Sequence, residues 1–495
     1  MATQHPDNAC PSYFTNKRFI SAQEEIEECF RCFSELGVQE FMWDWEGKFV
    51  DEAVIDRLYG EYTDYFRKHQ IGKDVFITFR VPNIWIESTH KLPRAFMSMI
   101  SAEDAAKTYG FHSPPLFEAI LPMTTSASQM EYLQKTFRKT IKSTTEIFDL
   151  KSTMRMLEVI PLFEEFETMA DAKSILYEYT RFLKKEYKYT PEYMRVFIAR
   201  SDPAMNAGFL PAKLACKHAI SSYHEFANET GIDVYPWVGG GSLPFRGGMN
   251  PYNVDSMLDQ YRGAASLTIQ SAFRYDYPLE DVKKAITRLN KELPRNRMKP
   301  VMLTKAEGEI VKSFNREAAK DFKLAIEKLA PMINLLGGKL PRHRERMQHI
   351  GLYGYSRGVG KVKLPRAIIF TGSFYSLGVP PEMIASGRAL VRARQMGILP
   401  LIDRLCPQLK SDFDRAGRYL NRENLDLLCK KEKVWKDIRK EIEDIEAYVG
   451  INLGPQKPHH VLHRNLTSNI YHKLLLDQDF SEDVLRAAEI RRSLG

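Results

Sequence analysis

The sequence predicts an α/β protein built on a (β/α)8 barrel of the TIM type, with an additional C-terminal helical region. Three observations carry this. Eight short apolar runs alternate with amphipathic segments of helical length, the pattern of parallel βαβ units, and eight such units close into a barrel. Most runs end in charged or glycine-rich residues, as barrel strands do where their βα loops converge. The 495 residues also exceed the roughly 250 of a bare barrel, so further structure must accompany it. The pattern divides the chain into residues 1–364, the barrel with an N-terminal arm, and residues 365–495, a helical region packed on it.

The predicted strands, in order, are Val38 to Trp43, Val75 to Phe79, Phe117 to Met123, Leu157 to Leu162, Arg195 to Ala199, Val234 to Val238, Ser266 to Gln270 and Gly351 to Tyr355. Each is short, and most are rich in β-branched or aromatic residues. Apolar positions at helical spacing mark Ala22 to Leu36, Val54 to Lys68, Ser128 to Thr145, Ala170 to Glu186, Leu210 to Glu229, Leu279 to Asn290 and Arg316 to Leu336. Past Leu364 the helical pattern dominates over Pro381 to Met396, Leu409 to Val449 and Ser481 to Leu494, with prolines punctuating the joins.

Composition excludes several classes. An apolar fraction of 44% with 11% aromatic residues is that of a folded globular chain. Residues 1–13 are polar and no run of about 18 uncharged apolar residues occurs, so neither secretion nor a membrane span is expected, and the expected setting is the cytoplasm. Six cysteines in so long a chain are too few for a disulfide framework. Cys29 and Cys32 form a CxxC, but inside a helical run and without a second pair, so helix packing is the simpler reading. The net charge of +8 is dispersed and interrupted by acids, which argues against a nucleic-acid surface and is compatible with a small anionic substrate.

The residues that follow each strand carry the chemistry. They read Asp44-Trp45-Glu46, Arg80, Thr124-Thr125, Glu164, Arg200-Ser201-Asp202, the glycine segment Gly239 to Gly248 with Arg246, Gln270 with Arg274, and Ser356-Arg357. Salt bridges on the rim could explain any one of them. The whole set would crowd one mouth, which fits a single small ligand better. Glu164 and Asp202 end neighbouring strands, and two carboxylates completed by water suit Mg²⁺ or Mn²⁺. The arginines suit a ligand bearing phosphate and carboxylate, since the guanidinium fork binds both bidentately. In GGGSLPFRGG the backbone can approach an anion closely, which makes Gly241 and Ser242 candidate binding residues beside Arg246.

Other motifs fail on spacing. Pro244 stands where a dinucleotide fingerprint needs its third glycine, and Gly358-Val359-Gly360-Lys361 lacks both the Walker spacing and a following Ser or Thr. His459, His460 and His463 fall in a proline-rich stretch read as a loop, with no acid or cysteine at ligand spacing. Composition alone would leave His5 in a disordered terminus.

These motifs, in this order, resemble those of phosphoenolpyruvate carboxylase in its short, archaeal-type form. Thr3-Gln4-His5-Pro6-Asp7-Asn8 is similar to the long form's TAHPTE, which puts His5 at the catalytic histidine. PLFE at Pro161 to Glu164 matches the motif whose glutamate binds metal, and RSDPAMNAG resembles YSDSAKDAG, whose aspartate, here Asp202, is the second ligand. GGGSLPFRGG resembles GRGGSIGRGG and carries Arg246 to a catalytic arginine. Tyr355-Ser356-Arg357 and Pro365-Arg366-Ala367-Ile368 resemble the GSR and LRAI segments, which implies substrate contacts from Arg357 and Arg366. Arg80 resembles an arginine of the second strand. The likeness runs from residue 3 to about 370. It departs from the long form at Met205, where that form has lysine, in the first arginine of the glycine loop, and at Arg492-Ser493-Leu494-Gly495. That ending lacks an asparagine that helps the long form bind inhibitory aspartate, whereas Arg464-Asn465 resembles another effector-site element.

The resemblance implies an enzyme that converts phosphoenolpyruvate and bicarbonate to oxaloacetate and phosphate through carboxyphosphate and a metal-bound enolate, with Mg²⁺ or Mn²⁺ as cofactor. Homotetramers are common in the family. It gives Asp44, Glu46 and Arg274 supporting roles only. The alternatives are another barrel acting on enolpyruvates or 2-oxo acids, such as an aldolase or mutase, and a nucleic-acid binder.

Overall fold

The computed structural model describes residues 1–47, 50–86, 90–344 and 362–495, and the backbone of 358–359. A mixed α/β body carries a parallel, curled sheet, with a helical C-terminal region beside it. The sheet runs in the order β1 (Glu40–Asp44), β2 (Phe76–Arg80), β3 (Glu118–Leu121), β4 (Glu158–Phe163), β5 (Tyr193–Ala199), β6 (Asp233–Gly239) and β7 (Ser266–Leu267). All seven fall where the apolar runs place them. The eighth predicted strand, Gly351 to Tyr355, lies outside the described residues.

A segment that composition alone would leave disordered lies against both edges of the sheet. Ala2 bridges Phe41 of β1 on one side and Ile269, just past β7, on the other. Ala2 N–H donates to Glu40 O at 2.8 Å and Ile269 N–H to Met1 O at 2.8 Å. Three residues cannot show a period-2 pattern, so no sequence signal marks them.

Alternation along the strands sorts two faces. Phe41, Trp43 and Phe79 join the main core beneath the surrounding helices, whereas Met42, Ile120, Ile160, Leu162, Phe197, Ala199 and Trp237 form a separate cluster on the opposite face. Phe197 and Trp237 stack there with centroids 4.1 Å apart. Asp44, Arg80 and Glu164 continue this inner face at the C-terminal ends of their strands. Below it, Arg195 pairs with Glu40 at 2.7 Å and with Glu118.

Some helices depart from the pattern. Lys91–Thr108, between β2 and β3, has no clean apolar stripe because Lys91 and Glu103 are buried with its apolar residues. The stretch Leu409 to Val449 is three helices, Leu409–Gly417, Arg422–Lys431 and Lys433–Val449. The proline-rich stretch around the histidines is no loop but the helix Pro458–Leu475, which Pro458 starts at a position where its missing N–H costs nothing. A second core joins the long helix Lys305–Gly338 to Phe209, Phe245 and the C-terminal helices. Through it the helical region reaches the glycine segment.

Candidate active site

At the C-terminal ends of the strands a cavity of about 90 Å³ is lined by His5, Glu46, Arg80, Glu164, Asp202, Arg246, Gln270 and Arg366, among others. Six residues selected from the sequence thus share one small chamber. Arg357 lies outside the described residues. Gly241 and Ser242 do not line the chamber. Gly241 N–H donates to Arg246 O and the Ser242 hydroxyl donates to Met249 O at 3.2 Å, so both shape the loop from within.

The acidic and basic sides are wired together. Arg80 Nε and Nη2 donate to the two carboxylate oxygens of Asp44 at 2.8 and 2.6 Å, and Arg80 Nη1 pairs with Glu46 at 2.7 Å. Burial opposes the Arg80 charge, but Asp44 and Glu46 outweigh it and hold its pKa above the ordinary arginine range. Glu46 also accepts from Arg366 Nη2 at 3.1 Å. Arg366 stands just ahead of the helix Ala367–Leu377, so one carboxylate joins an arginine of the sheet to one of the helical region.

Arg246 is fully buried at the end of the short turn Pro244–Arg246. Its Nε donates to Ser201 Oγ at 3.2 Å, its Nη1 to Asp7 at 3.1 Å and to the Gly495 main-chain oxygen at 2.6 Å, and its Nη2 to Gln270. Burial lowers the Arg246 pKa, with Asp7 opposing, yet a guanidinium stays charged throughout the working range. The same burial raises the Asp7 carboxyl above its usual range despite Arg246. Asp7 also accepts from Ala272 N–H at 2.8 Å. It lies in the His5 motif, where a carboxylate two residues from the histidine is the sequence signal for it.

His5 is held by its backbone and its ring. Ser271 N–H and Asp7 N–H donate to His5 O, and His5 Nδ1 lies 2.9 Å from Thr3 Oγ1. Because residues 1–3 are hydrogen-bonded between β1 and β7, the histidine is delivered to the mouth rather than left on a loose terminus.

Glu164 directly follows β4 and accepts from Met123 N–H at 2.8 Å, and Asp202 lies in the first turn of the helix Ser201–Ala207. Both offer hard oxygen donors to the same chamber. Among the described residues no three or more His, Cys, Asp or Glu are gathered to hold an ion. A cation here would take two carboxylates and complete its shell with water or ligand oxygens, which suits Mg²⁺ or Mn²⁺. Gly239 opens the chamber floor: a Cβ there would lie 2.4 Å from the Phe197 ring.

Other candidates sit elsewhere. Arg274 is buried in an ion cluster with Glu28. Cys29 and Cys32 are free and buried in the main core. His460 and His463 are buried against Tyr419, and burial pushes the His460 ring down to about 4. Met205 is fully buried in the second core, which explains an apolar residue at that position.

The family model described as phosphoenolpyruvate carboxylase matches residues 1–495. Curated proteins named phosphoenolpyruvate carboxylase are similar along nearly their whole length. The one from Leuconostoc mesenteroides is 42% identical over 92% of this chain and 90% of its own. Those from Metallosphaera sedula and Picrophilus torridus are each 36% identical over 100% of this chain, and over 99% and 98% of their own.

Proposed function

Because the chain belongs to the phosphoenolpyruvate carboxylase family, we propose that it joins phosphoenolpyruvate and bicarbonate to give oxaloacetate and inorganic phosphate in the chamber described above. The observation that carries this is the convergence of Arg80, Arg246 and Arg366 with Glu164, Asp202 and His5 on one small cavity. A trianionic substrate needs that many cations around it.

Glu164 and Asp202 would hold Mg²⁺ or Mn²⁺. Bound there, the ion supplies positive charge for the substrate's carboxylate and phosphate and for the enol oxygen as it becomes negative. The chain's own groups do the rest. Arg246 and Arg366, with Arg357, neutralise the phosphoryl oxygens while a bicarbonate oxygen attacks phosphorus and the bond from phosphorus to the enol oxygen breaks, leaving carboxyphosphate and pyruvate enolate. Among the described residues Arg246 uses four of its five N–H groups on Ser201, Asp7, Gly495 and Gln270. One Nη2 N–H is therefore left for the substrate, with its direction already fixed. His5 takes the proton of carboxyphosphate, which breaks to CO₂ and phosphate, and the enolate carbon attacks CO₂. Enclosure matters because a proton from water would divert the enolate to pyruvate.

The bridges of Ala2 to both ends of the sheet support a closed barrel in which the N-terminal residues supply a stave and thereby carry His5 to the mouth. The division at residue 364, a homotetramer and a cytoplasmic setting belong to the same reading. No helix among the described residues is long and apolar enough to cross a membrane.

The test is a coupled assay for oxaloacetate together with phosphate release, with and without bicarbonate, Mg²⁺ and Mn²⁺. Oxaloacetate that requires both bicarbonate and a divalent ion is the expected outcome. Phosphate release indifferent to bicarbonate would point to another enolpyruvate enzyme and end the proposal.

A further inference from the structure

The loop that carries Arg246 folds back on itself. Gly241 N–H donates to Arg246 O at 2.8 Å and Gly248 N–H to Leu243 O at 2.9 Å, closing the segment around the turn Pro244–Arg246. A Cβ on Gly240 would stand 2.5 Å from Arg246 O, so the approach requires glycine. N–H groups at the start of such a turn have no acceptor within it. Pro244 has none to satisfy. Phe245 N–H points out of the loop to Glu382 Oε1, 2.7 Å away, in the turn Pro381–Met383 of the helical region.

The same oxygen accepts the Tyr375 hydroxyl at 2.8 Å, and the Phe245 ring stacks on Phe370 at 5.7 Å. Glu382 is fully buried and makes no ion pair with a cation among the described residues. Asp412, whose charge also acts on it, is itself an acid, engaged by Lys213 and Arg415. Burial pushes the Glu382 carboxyl up to about 7. A carboxyl buried without a cation is costly, so an apolar side chain would suit this place better if packing were its only duty.

Resting on the carboxylation reading, we infer that Glu382 is a positioning residue of the helical region, which fixes the turn Pro244–Arg246 and so aims Arg246 at the phosphoryl oxygens. The side chain lines no part of the chamber and acts only through Arg246. A displacement of about 1 Å in a group that stabilises the transition state can cost on the order of 10²-fold in rate. The near-isosteric E382M and the smaller E382A should therefore lower kcat by about 30-fold or more, with KM for phosphoenolpyruvate within about threefold, since the missing interaction is one realised in the transition state. E382Q keeps an oxygen for both donors and should recover most of that loss.

The decisive measurement is a double-mutant cycle with R246K, using oxaloacetate formation per folded protein as judged by near-ultraviolet circular dichroism. In the R246K background E382M should add less than about threefold, because the group it positions is already gone. A general loss of structure would lower both backgrounds equally, and that result overturns the inference, as does E382M within about threefold of the unaltered enzyme. If the unaltered enzyme forms no oxaloacetate, the carboxylation reading falls and this inference with it. An active enzyme with an indifferent E382M overturns this inference alone.

Discussion

Glu28 lies at the centre of a buried ion cluster whose disruption has a calculable cost. Its Oε1 accepts from Arg274 Nη2 at 2.8 Å, from Arg344 Nη2 at 2.6 Å and from the Tyr275 hydroxyl, and Arg344 Nη1 also reaches Glu25 at 2.9 Å. Burial alone would raise the carboxyl, but Arg344 and Arg274 outweigh it and hold it at about 2 against an ordinary 4.5. At about 1.4 kcal/mol for each unit, the depression corresponds to ~3 kcal/mol of stability. A depressed acid contributes fully above pH 4.5, and the contribution is lost as pH falls from 4.5 towards 2. Substituting E28Q keeps the shape but removes the charge, leaving two buried guanidinium groups, of which Arg344 keeps Glu25 as an acid partner. Urea unfolding should show E28Q less stable by ~3 kcal/mol at pH 7, within the range for breaking a buried pair. The gap between the two proteins should narrow as the pH is lowered below 4.5. A gap below about 1 kcal/mol at pH 7, or one that does not narrow in acid, would refute the account. The cluster also ties the helix Glu25–Ser34 to Arg344, the last described residue before the segment that contains Arg357.

Three further outcomes follow from the site and its surroundings. His5→Asn should abolish oxaloacetate formation while some bicarbonate-dependent phosphate release persists, read in the two-product assay; intact carboxylation would mean that His5 has another role. Gly239→Ala puts a methyl 2.4 Å from the Phe197 ring, which is stacked on Trp237. Overpacking of this kind costs about 1–3 kcal/mol, so the unfolding midpoint should drop and KM for phosphoenolpyruvate should rise. An unchanged midpoint would show that the ring gives way. Met205→Lys would restore the long form's lysine inside the apolar cluster that holds Phe209 and Phe322, and an amine buried without a partner should destabilise by several kcal/mol or titrate well below its usual range. A loss under about 1 kcal/mol would mean that the side chain reaches water.

Much of this protein is legible in its sequence because the relevant signals are local. The seven parallel strands are legible because their runs are mostly apolar and end in polar or charged groups. That Glu164, Asp202 and Arg246 border one chamber is legible because strand ends and glycine segments announce themselves within ten residues. The helix Pro458–Leu475 is not legible as one because Pro455 and Pro458 signal a break, although proline breaks a helix only from inside and here the two precede and start one. Lys91–Thr108 was missed because tertiary contacts bury Lys91 and Glu103, which blurs its stripe.

The sequence by itself determined the alternation of strands and helices and the order of the charged strand ends, since each depends on residue type and near-neighbour spacing. Tertiary structure alone decided which charges neutralise which. Glu46, which holds Arg80, meets Arg366 across 320 residues, Asp7 meets Arg246 across 239, and Gly495 meets the same arginine across 249. Ala2 likewise lies between β1 and β7, so the start of the chain delivers His5 to the mouth. Such pairings depend on where distant segments come to rest when the two apolar cores form, and residue spacing along the chain carries no trace of them.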